Sequence, residues 1–197
     1  MYLNCDDIEK WSVANPDKVQ ELVTRFEQLD STLSCEELAK AYVAQAYVGG
    51  NGGYTDIDFS RMAINAMMDE GAMEEVLRLA WNEACRNPFN LDALDALLRI
   101  VPQEHDIWKV AAWRFSRLLK AIASTGDGTS QATAFCVICV QDEYMLMRSV
   151  LEIENFVSQE LIIDGLHSFD RISVEPSNLY PHHEVFFDIT PFNITAL

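Results

Sequence analysis

Cys136 and Cys139 are separated by two residues and form the pattern with the most direct chemical potential in this chain of 197 residues. Thiols at this spacing serve as half of a zinc site or as a thioredoxin-like redox pair. They lie within an apolar, β-rich run, residues 134–140, which predicts a buried strand. Side chains three positions apart on a strand point to opposite faces, so we interpret both cysteines as buried structural thiols.

Two glycine-rich segments and an acidic pair also have residue types that could bind ligands. Residues 49–53 resemble a phosphate-binding loop in composition only, because they lack the Lys-Ser/Thr ending. Asp56 and Asp58 fit a metal pair or a helix cap, and we favour the cap. The segment 126–128, Gly-Asp-Gly, lacks the further acidic ligands of a calcium loop, which indicates a turn at a domain junction.

The four histidines, His105, His167, His182 and His183, do not belong to a recognisable catalytic motif. The chain lacks both Gly-x-Ser-x-Gly and His-Glu-x-x-His. Acidic residues are so abundant that no pair of carboxylates is distinctive as an acid/base pair. We therefore predict no catalytic, cofactor-binding or metal-binding residue and expect a protein that is not an enzyme. An acid-site hydrolase or a metal-dependent enzyme is the minor alternative.

Helical spacing dominates the first 124 residues. Asn15-Pro16-Asp17 predicts a helix start, and Ser34 with Glu37 fits a capping box for the next helix. Further helices are predicted at about 57–69, 72–86, 91–101 and 104–123. The Asn-Pro turn at 87–94 resembles tetratricopeptide-type hairpins, although no clean repeat is visible. The pattern indicates an antiparallel helical-hairpin stack.

The pattern changes after residues 125–130. The expected elements are a strand at 134–140, a helix at 142–151 and three strands at 160–163, 169–174 and 184–189. The second and third of these four strands could pair across a loop that contains Asp164 and Gly165. We therefore predict an α+β protein with a helical domain at 1–124 and a small α+β domain with a short, mainly antiparallel sheet at 125–197.

Charge is distributed unevenly along the chain. The formal net charge is −17, from 14 Lys and Arg against 31 Asp and Glu. Residues 1–60 hold 11 acids and 4 bases, residues 61–125 hold 9 and 8, and residues 126–197 hold 11 and 2. This excess argues against nucleic acid and anionic membranes as partners, and it leaves either a solvated acidic surface or one that binds a basic protein.

The sequence also indicates a cellular compartment. No apolar run reaches the length of a membrane span, and the first ten residues carry acids where a signal peptide needs positive charge. The five cysteines are an odd number at scattered positions, which does not fit a secreted disulfide framework. We expect a cytoplasmic protein.

One stretch resembles a bacterial domain-of-unknown-function family. Its residues are Gly-Asp-Gly-Thr-Ser at 126–130, Ala-Phe-Cys-Val-Ile at 134–138 and Asp-Glu-Tyr at 142–144. The resemblance extends over roughly residues 70–190 and is most specific at 122–144. It implies a fold, a helical segment followed by closing strands, and no activity.

In kind, the chain is also similar to immunity proteins of type VI or contact-dependent bacterial toxins. That similarity implies a non-catalytic, acidic protein that covers the basic active-site surface of a cognate toxin, a nuclease. We place the contact in the C-terminal unit, with seven candidate residues: Asp142, Glu143, Tyr144, Glu175, Tyr180, Glu184 and Asp188. A helical-repeat-like adaptor that binds a peptide in a groove of residues 16–123 is the alternative.

Overall fold

The computed structural model describes residues 2–3, 5–48, 57–68 and 70–193. The helices are α1 (Cys5–Ala14), α2 (Pro16–Glu27), α3 (Cys35–Ala44), α4 (Phe59–Ala66), α5 (Glu70–Arg86), α6 (Leu91–Ile100), α7 (Asp106–Ala123), α8 (Val140–Ser149) and α9 (Thr190–Asn193). The strands are β1 (Phe135–Cys136), β2 (Phe156–Asp164), β3 (His167–Val174) and β4 (Glu184–Asp188). The predicted α+β class, helices first and a small sheet after them, is confirmed.

Helix starts follow the predicted capping residues with one exception. The Ser34 hydroxyl accepts the Glu37 N–H at 3.2 Å, and the Glu37 carboxylate accepts the Ser34 N–H at 2.9 Å, so the capping box is confirmed. Asp58 accepts a backbone N–H in the first turn of α4, as a cap should. Asn15 precedes α2, but its side-chain amide donates to the Trp11 carbonyl oxygen and caps nothing.

The first helix, α1, was not predicted. Its buried residues, Cys5, Ile8 and Ser12, are a short and partly polar set that gives little apolar periodicity, so contacts with α2 and α3 stabilise it. The glycine-rich segment 49–53 and Asp56 lie outside the described residues.

The sheet has the order β1-β4-β3-β2, with β1 parallel to β4 and the other pairs antiparallel. The predicted hairpin is confirmed: β2 and β3 are joined by Gly165 and Leu166, and Gly165 has a φ of +64°. A two-residue hairpin turn needs a positive φ at its first position, which glycine adopts without strain. The predicted strand at 134–140 is too long, because β1 ends at Cys136 and α8 begins at Val140.

One buried apolar cluster includes residues from both parts of the chain. It contains Tyr42, Leu97 and Leu118 from the helical part and Ile138, Leu146 and Phe187 from the later part. At the predicted boundary Thr125 is buried, and its hydroxyl accepts the Cys136 N–H at 2.9 Å. The helical part therefore packs directly on α8 and the sheet, and the division at residue 124 stays a prediction.

Gly128 is a position where a side chain would disrupt this packing. Its φ is +70°, and an added Cβ would lie 2.4 Å from the Phe135 ring. We expect Gly128→Ala to lower the free energy of unfolding by about 2 kcal/mol, from left-handed strain plus overlap. Gly165→Ala is the matched control, because Gly165 has a similar φ and nothing within 4 Å of an added Cβ. Urea titration of both variants should show the larger loss at Gly128, and equal losses would contradict the packing argument.

Candidate partner-binding surface

Three of the seven predicted contact residues are not at the surface. Asp142, Glu143 and Tyr180 are 2%, 0% and 4% exposed. Asp142 and Glu143 lie in the first turn of α8, which packs between the helices and the sheet, so their predicted role as partner contacts is corrected. They are structural groups beneath the surface.

Asp142 forms part of a buried polar cluster with Tyr42. The Tyr42 hydroxyl donates to the Asp142 carboxylate and accepts the Ile138 N–H at 3.0 Å. Burial raises the pKa of Asp142 to about 6, while the hydrogen bonds from Tyr42 and Cys139 oppose that shift. These contacts connect α3 to the start of α8.

Glu143 is fully buried, and its carboxyl oxygens receive no hydrogen bond from the described residues. Burial, followed by the neighbouring Asp170, raises the pKa of Glu143 to about 9. At neutral pH the Glu143 carboxyl is therefore protonated beside Asp170. Asp170 also accepts from Gln159 at 2.5 Å, and Gln159 accepts the Tyr144 hydroxyl proton at 3.0 Å. This chain of hydrogen bonds fastens α8 to β2 and β3.

Tyr180 is also structural. Its hydroxyl lies 2.8 Å from the Gly128 carbonyl oxygen and 2.9 Å from the Glu184 carbonyl oxygen, and it donates to them. Of the remaining predicted contacts, Glu175 and Glu184 are exposed, whereas Tyr144 and Asp188 are half-buried. The partner-contact role of these four residues stays a prediction.

Strand β2 is the most exposed regular element of this region. It lies at the edge of the sheet, and along its nine residues only Ile162 is half-buried, the others being exposed. Its apolar side chains are exposed too, with Leu161 at 54% and Ile163 at 70%, and Leu166 in the adjoining turn at 93%. A long edge strand with exposed apolar side chains, paired along one side only, is a template for pairing with another chain.

The two faces of β2 differ in chemistry. Register places Leu161 opposite Asp170 and Ile163 opposite Ser168, on the face that continues from the core. On the other face Glu160 pairs with Arg171, which also lies 3.6 Å from Glu184. We call β2 with its turn, residues 156–166, the edge hairpin arm.

A cleft of about 430 Å³ adjoins the start of this arm, between α8 and β2. Its apolar lining includes Tyr144, Met147, Ile153 and Phe156, and the rings of Tyr144 and Phe156 lie 5.6 Å apart. An extended segment that runs along β2 would reach this cleft with one of its side chains.

The surface around the arm is acidic. Among the described residues from 126 onward, six carboxylates are exposed: Glu152, Glu154, Glu160, Asp164, Glu175 and Glu184. This part of the chain has two basic residues, and both are in ion pairs: Arg148 with Asp95 at 3.2 Å, and Arg171 with Glu160 and Glu184. The field around β2 is therefore negative.

The two cysteines of the CxxC pattern do not pair with each other. Cys136 Sγ lies 2.7 Å from Cys5 Sγ, whereas Cys139 precedes α8 and contacts Asp142. The prediction that they diverge as buried thiols is confirmed, although Cys139 is the N-cap residue of a helix and not part of a strand. The partner of Cys136, Cys5, was not foreseen.

A family model described as a domain of unknown function, DUF4919, matches residues 12–194. The chain belongs to the DUF4919 family. The match confirms a domain-of-unknown-function family and extends further toward the N-terminus than the predicted 70–190. It includes every helix after α1 and all four strands, with the helical part and the sheet in one family domain.

No curated protein and no solved structure matches this DUF4919 chain. Within the described ranges, no helix combines the length and the apolar character that crossing a bilayer requires.

The sequence did not indicate the edge hairpin arm as a binding feature, because the predicted strand was shorter than β2. The prediction began at Glu160, but Phe156 and Val157 already belong to the strand. Residues 156–164 do not alternate regularly between apolar and polar types, so the sequence pattern alone does not indicate the exposed edge.

Proposed function

We propose that this protein is a non-catalytic binding protein that pairs with an extended segment of a basic protein along β2. We further propose that the partner is a toxin effector, a nuclease, and that this protein acts as its cytoplasmic immunity protein. The observation that carries the proposal is the exposed, apolar edge strand set in an acidic surface.

Strand addition suits β2 because backbone groups provide affinity while side chains on alternate positions provide specificity. The turn at Gly165 and Leu166 makes Asp164 and His167 a hydrogen-bonded pair. Counting back along the antiparallel pair, the N–H and C=O groups of Gln159, Leu161 and Ile163 point away from β3. They are the backbone groups that a partner strand would bind.

Charge favours a basic partner over a second copy of this chain. A copy paired along the same edge would bring Glu160 and Asp164 near their own equivalents, at a net charge of −17 on each chain. A segment that carries Lys or Arg at alternate positions would instead pair with these carboxylates. Negative potential around the arm also speeds encounter with a basic surface.

A nuclease supplies such a surface because its active site must bind phosphate. An acidic protein attached at its edge strand would lie across that groove and compete with the nucleic acid. The segment 126–144, which carries the proposed family signature, contributes to the support of the sheet. The Phe135 ring lies 5.9 Å from the Phe187 ring of β4, and Tyr144 donates to Gln159 of β2 at 3.0 Å.

Leu161→Pro tests the strand-pairing mechanism. Proline removes one outward N–H and keeps the β2–β3 hydrogen bonds, which edge positions tolerate. We expect binding to the basic product of the neighbouring gene, measured by calorimetry, to weaken at least about tenfold, from a lost hydrogen bond and disturbed apolar contact. Leu161→Ala, which keeps the N–H, should weaken it less.

The cellular measurement is protection from the same gene product expressed as a toxin. Wild-type protein should protect, and Leu161→Pro should protect poorly at equal abundance. Absence of binding and of protection by the wild type would reject the immunity proposal. Equal binding by the proline and alanine variants would reject strand pairing while leaving a basic partner in place.

Salt separates the charge contribution from the apolar one. Affinity should fall between about 0.1 M and about 1 M salt, where the screening length shortens from about 10 Å to about 3 Å. An affinity unaffected by salt, with neutral peptides bound in the helical part, would favour the adaptor alternative.

A further inference from the structure

A second cluster includes residues of β1 and β4, and β1 is the edge strand of the sheet farthest from β2 in strand order. It does not depend on the proposed function. Cys5 of α1, Cys136 of β1 and Asp188 of β4 bring one sulfur or carboxylate oxygen each within 4.8 Å of one another. Both thiols are fully buried or nearly so, at 0% and 2% exposed. Three residues far apart in sequence thus converge on one point.

We propose that Cys5, Cys136 and Asp188 bind a divalent metal ion of the zinc class. Thiolate and carboxylate are ligands that Zn²⁺ takes at about 2.3 Å and about 2.0–2.2 Å. Two thiolates and one carboxylate carry three negative charges, and Zn²⁺ reduces the net charge of the buried site to −1.

The third ligand distinguishes a metal site from a thiol pair. A buried carboxylate beside two neutral thiols gains little, and beside a disulfide it gains less, because neither bears a positive charge. A divalent cation supplies that positive charge and replaces the thiol protons on binding.

Two of the ligands are held in place by other groups. The backbone N–H of Thr190 donates to Asp188 Oδ1 at 3.0 Å. The N–H of Cys136 donates to Thr125 Oγ1 at 2.9 Å, and Thr125 donates to the Ile122 carbonyl oxygen at 2.7 Å. Such outer hydrogen bonds orient metal ligands.

The geometry requires one adjustment and leaves one position open. The sulfurs are 2.7 Å apart and would have to separate by about 1 Å to share a tetrahedral ion. Cys136 and Asp188 also line a cleft of about 570 Å³ that includes His167. Water from this cleft would complete the coordination.

The test uses the full chain, reduced and stripped with a chelator, then titrated with Zn²⁺ and separately with Co²⁺. We expect one ion per chain, release of about two protons per ion from the two thiols, and thiolate-to-cobalt charge-transfer absorption. Cys136→Ser should weaken zinc binding at least about 100-fold, as loss of one of three protein ligands requires. Asp188→Asn should weaken binding and retain the thiolate absorption.

Cys85→Ser is the matched control, since Cys85 is exposed on α5 and outside the cluster. It should bind zinc as the wild type does. If Cys136→Ser fails to fold, proton release and the cobalt spectrum of the wild type still decide the question. The proposal is overturned if the reduced wild type takes up no metal, if Cys136→Ser binds like Cys85→Ser, or if the cobalt complex lacks thiolate absorption.

Discussion

Replacing Tyr42 with phenylalanine will lower the free energy of unfolding by about 4 kcal/mol at about pH 8, the largest loss we expect from a single oxygen atom in this protein. The Tyr42 hydroxyl is fully buried, donates to Asp142 and accepts the Ile138 N–H. Its removal leaves a buried carboxylate and a buried N–H without their partner. Urea unfolding followed by circular dichroism measures the change.

The loss should depend on pH. Because the pKa of Asp142 in the folded protein is about 6, raised from 3.8 by burial, its carboxyl is mostly ionised at about pH 8 and mostly neutral at about pH 5. A neutral carboxyl without a partner costs less, so we expect a loss of only about 2 kcal/mol at the lower pH. A loss that is equal at both values would mean that Asp142 is not the group left unpaired.

Tyr47→Phe is the matched control. The Tyr47 hydroxyl is also buried, but among the described residues it has no hydrogen-bond partner, so its removal should leave stability unchanged or slightly higher. In the double variant Tyr42→Phe with Asp142→Leu, part of the loss should return, because an apolar side chain needs no donor. A double variant whose loss equals the sum of the single losses would contradict the coupling.

The fold class was predictable because its signals are local. Ser34 with Glu37 and Asp58 mark helix starts by side-chain chemistry that acts within one turn, and Asp164-Gly165 marks a hairpin by the φ that its glycine adopts. Each of these patterns depends on neighbours within four residues. Sequence alone therefore placed most helices and the hairpin.

The candidate surface was only partly predictable because burial is a tertiary property. Asp142 and Glu143 were predicted at the surface, since charged residues are rarely buried. Both are buried because α8, which carries them, packs between the helices and the sheet. The Tyr42 hydroxyl, 100 residues earlier in the chain, donates to Asp142, and Asp170 on β3 is the neighbour of Glu143. No local pattern contains those partners.

The thiols illustrate the same limit in the opposite direction. The spacing of Cys136 and Cys139 is typical of a cysteine pair. Cys136 instead contacts Cys5, which is 131 residues away in the sequence. The short parallel pairing of β1 with β4 brings Asp188 beside them. The spacing argument assumed one strand through both cysteines, but Cys139 is the N-cap residue of α8. The contact of Cys136 with Cys5 follows from the packing of α1, which no local pattern contains.

Glu143→Gln should stabilise the protein, against the usual direction for a core substitution. The pKa of Glu143 is raised from 4.5 to about 9 in the folded state, by burial and by Asp170. Between about pH 4.5 and about pH 9, the folded protein therefore holds a proton that the unfolded chain has already released. The free energy of unfolding of the wild type falls as pH rises through this range: the contribution of Glu143 is complete below about pH 4.5 and is lost as pH approaches about 9.

Glutamine has nearly the shape of the protonated acid and cannot ionise. We therefore expect Glu143→Gln to raise the free energy of unfolding by about 3 kcal/mol at about pH 7, and by little at about pH 4.5. Urea midpoints measured across this range should fall with pH in the wild type and be flatter in the variant.

Glu154→Gln is the control for this effect, because Glu154 is exposed and its replacement removes a charge without changing the buried network. It should leave the slope of stability against pH as it is in the wild type. A Glu143→Gln variant with the wild-type slope would mean that Glu143 is ionised in the folded protein. A cation would then have to lie beside Glu143 and Asp170, and ionic contacts would hold α8 against the sheet. If the slope is lost as expected, Glu143 is neutral in the folded protein, and the packing of α8 on the sheet becomes less stable as the medium becomes alkaline.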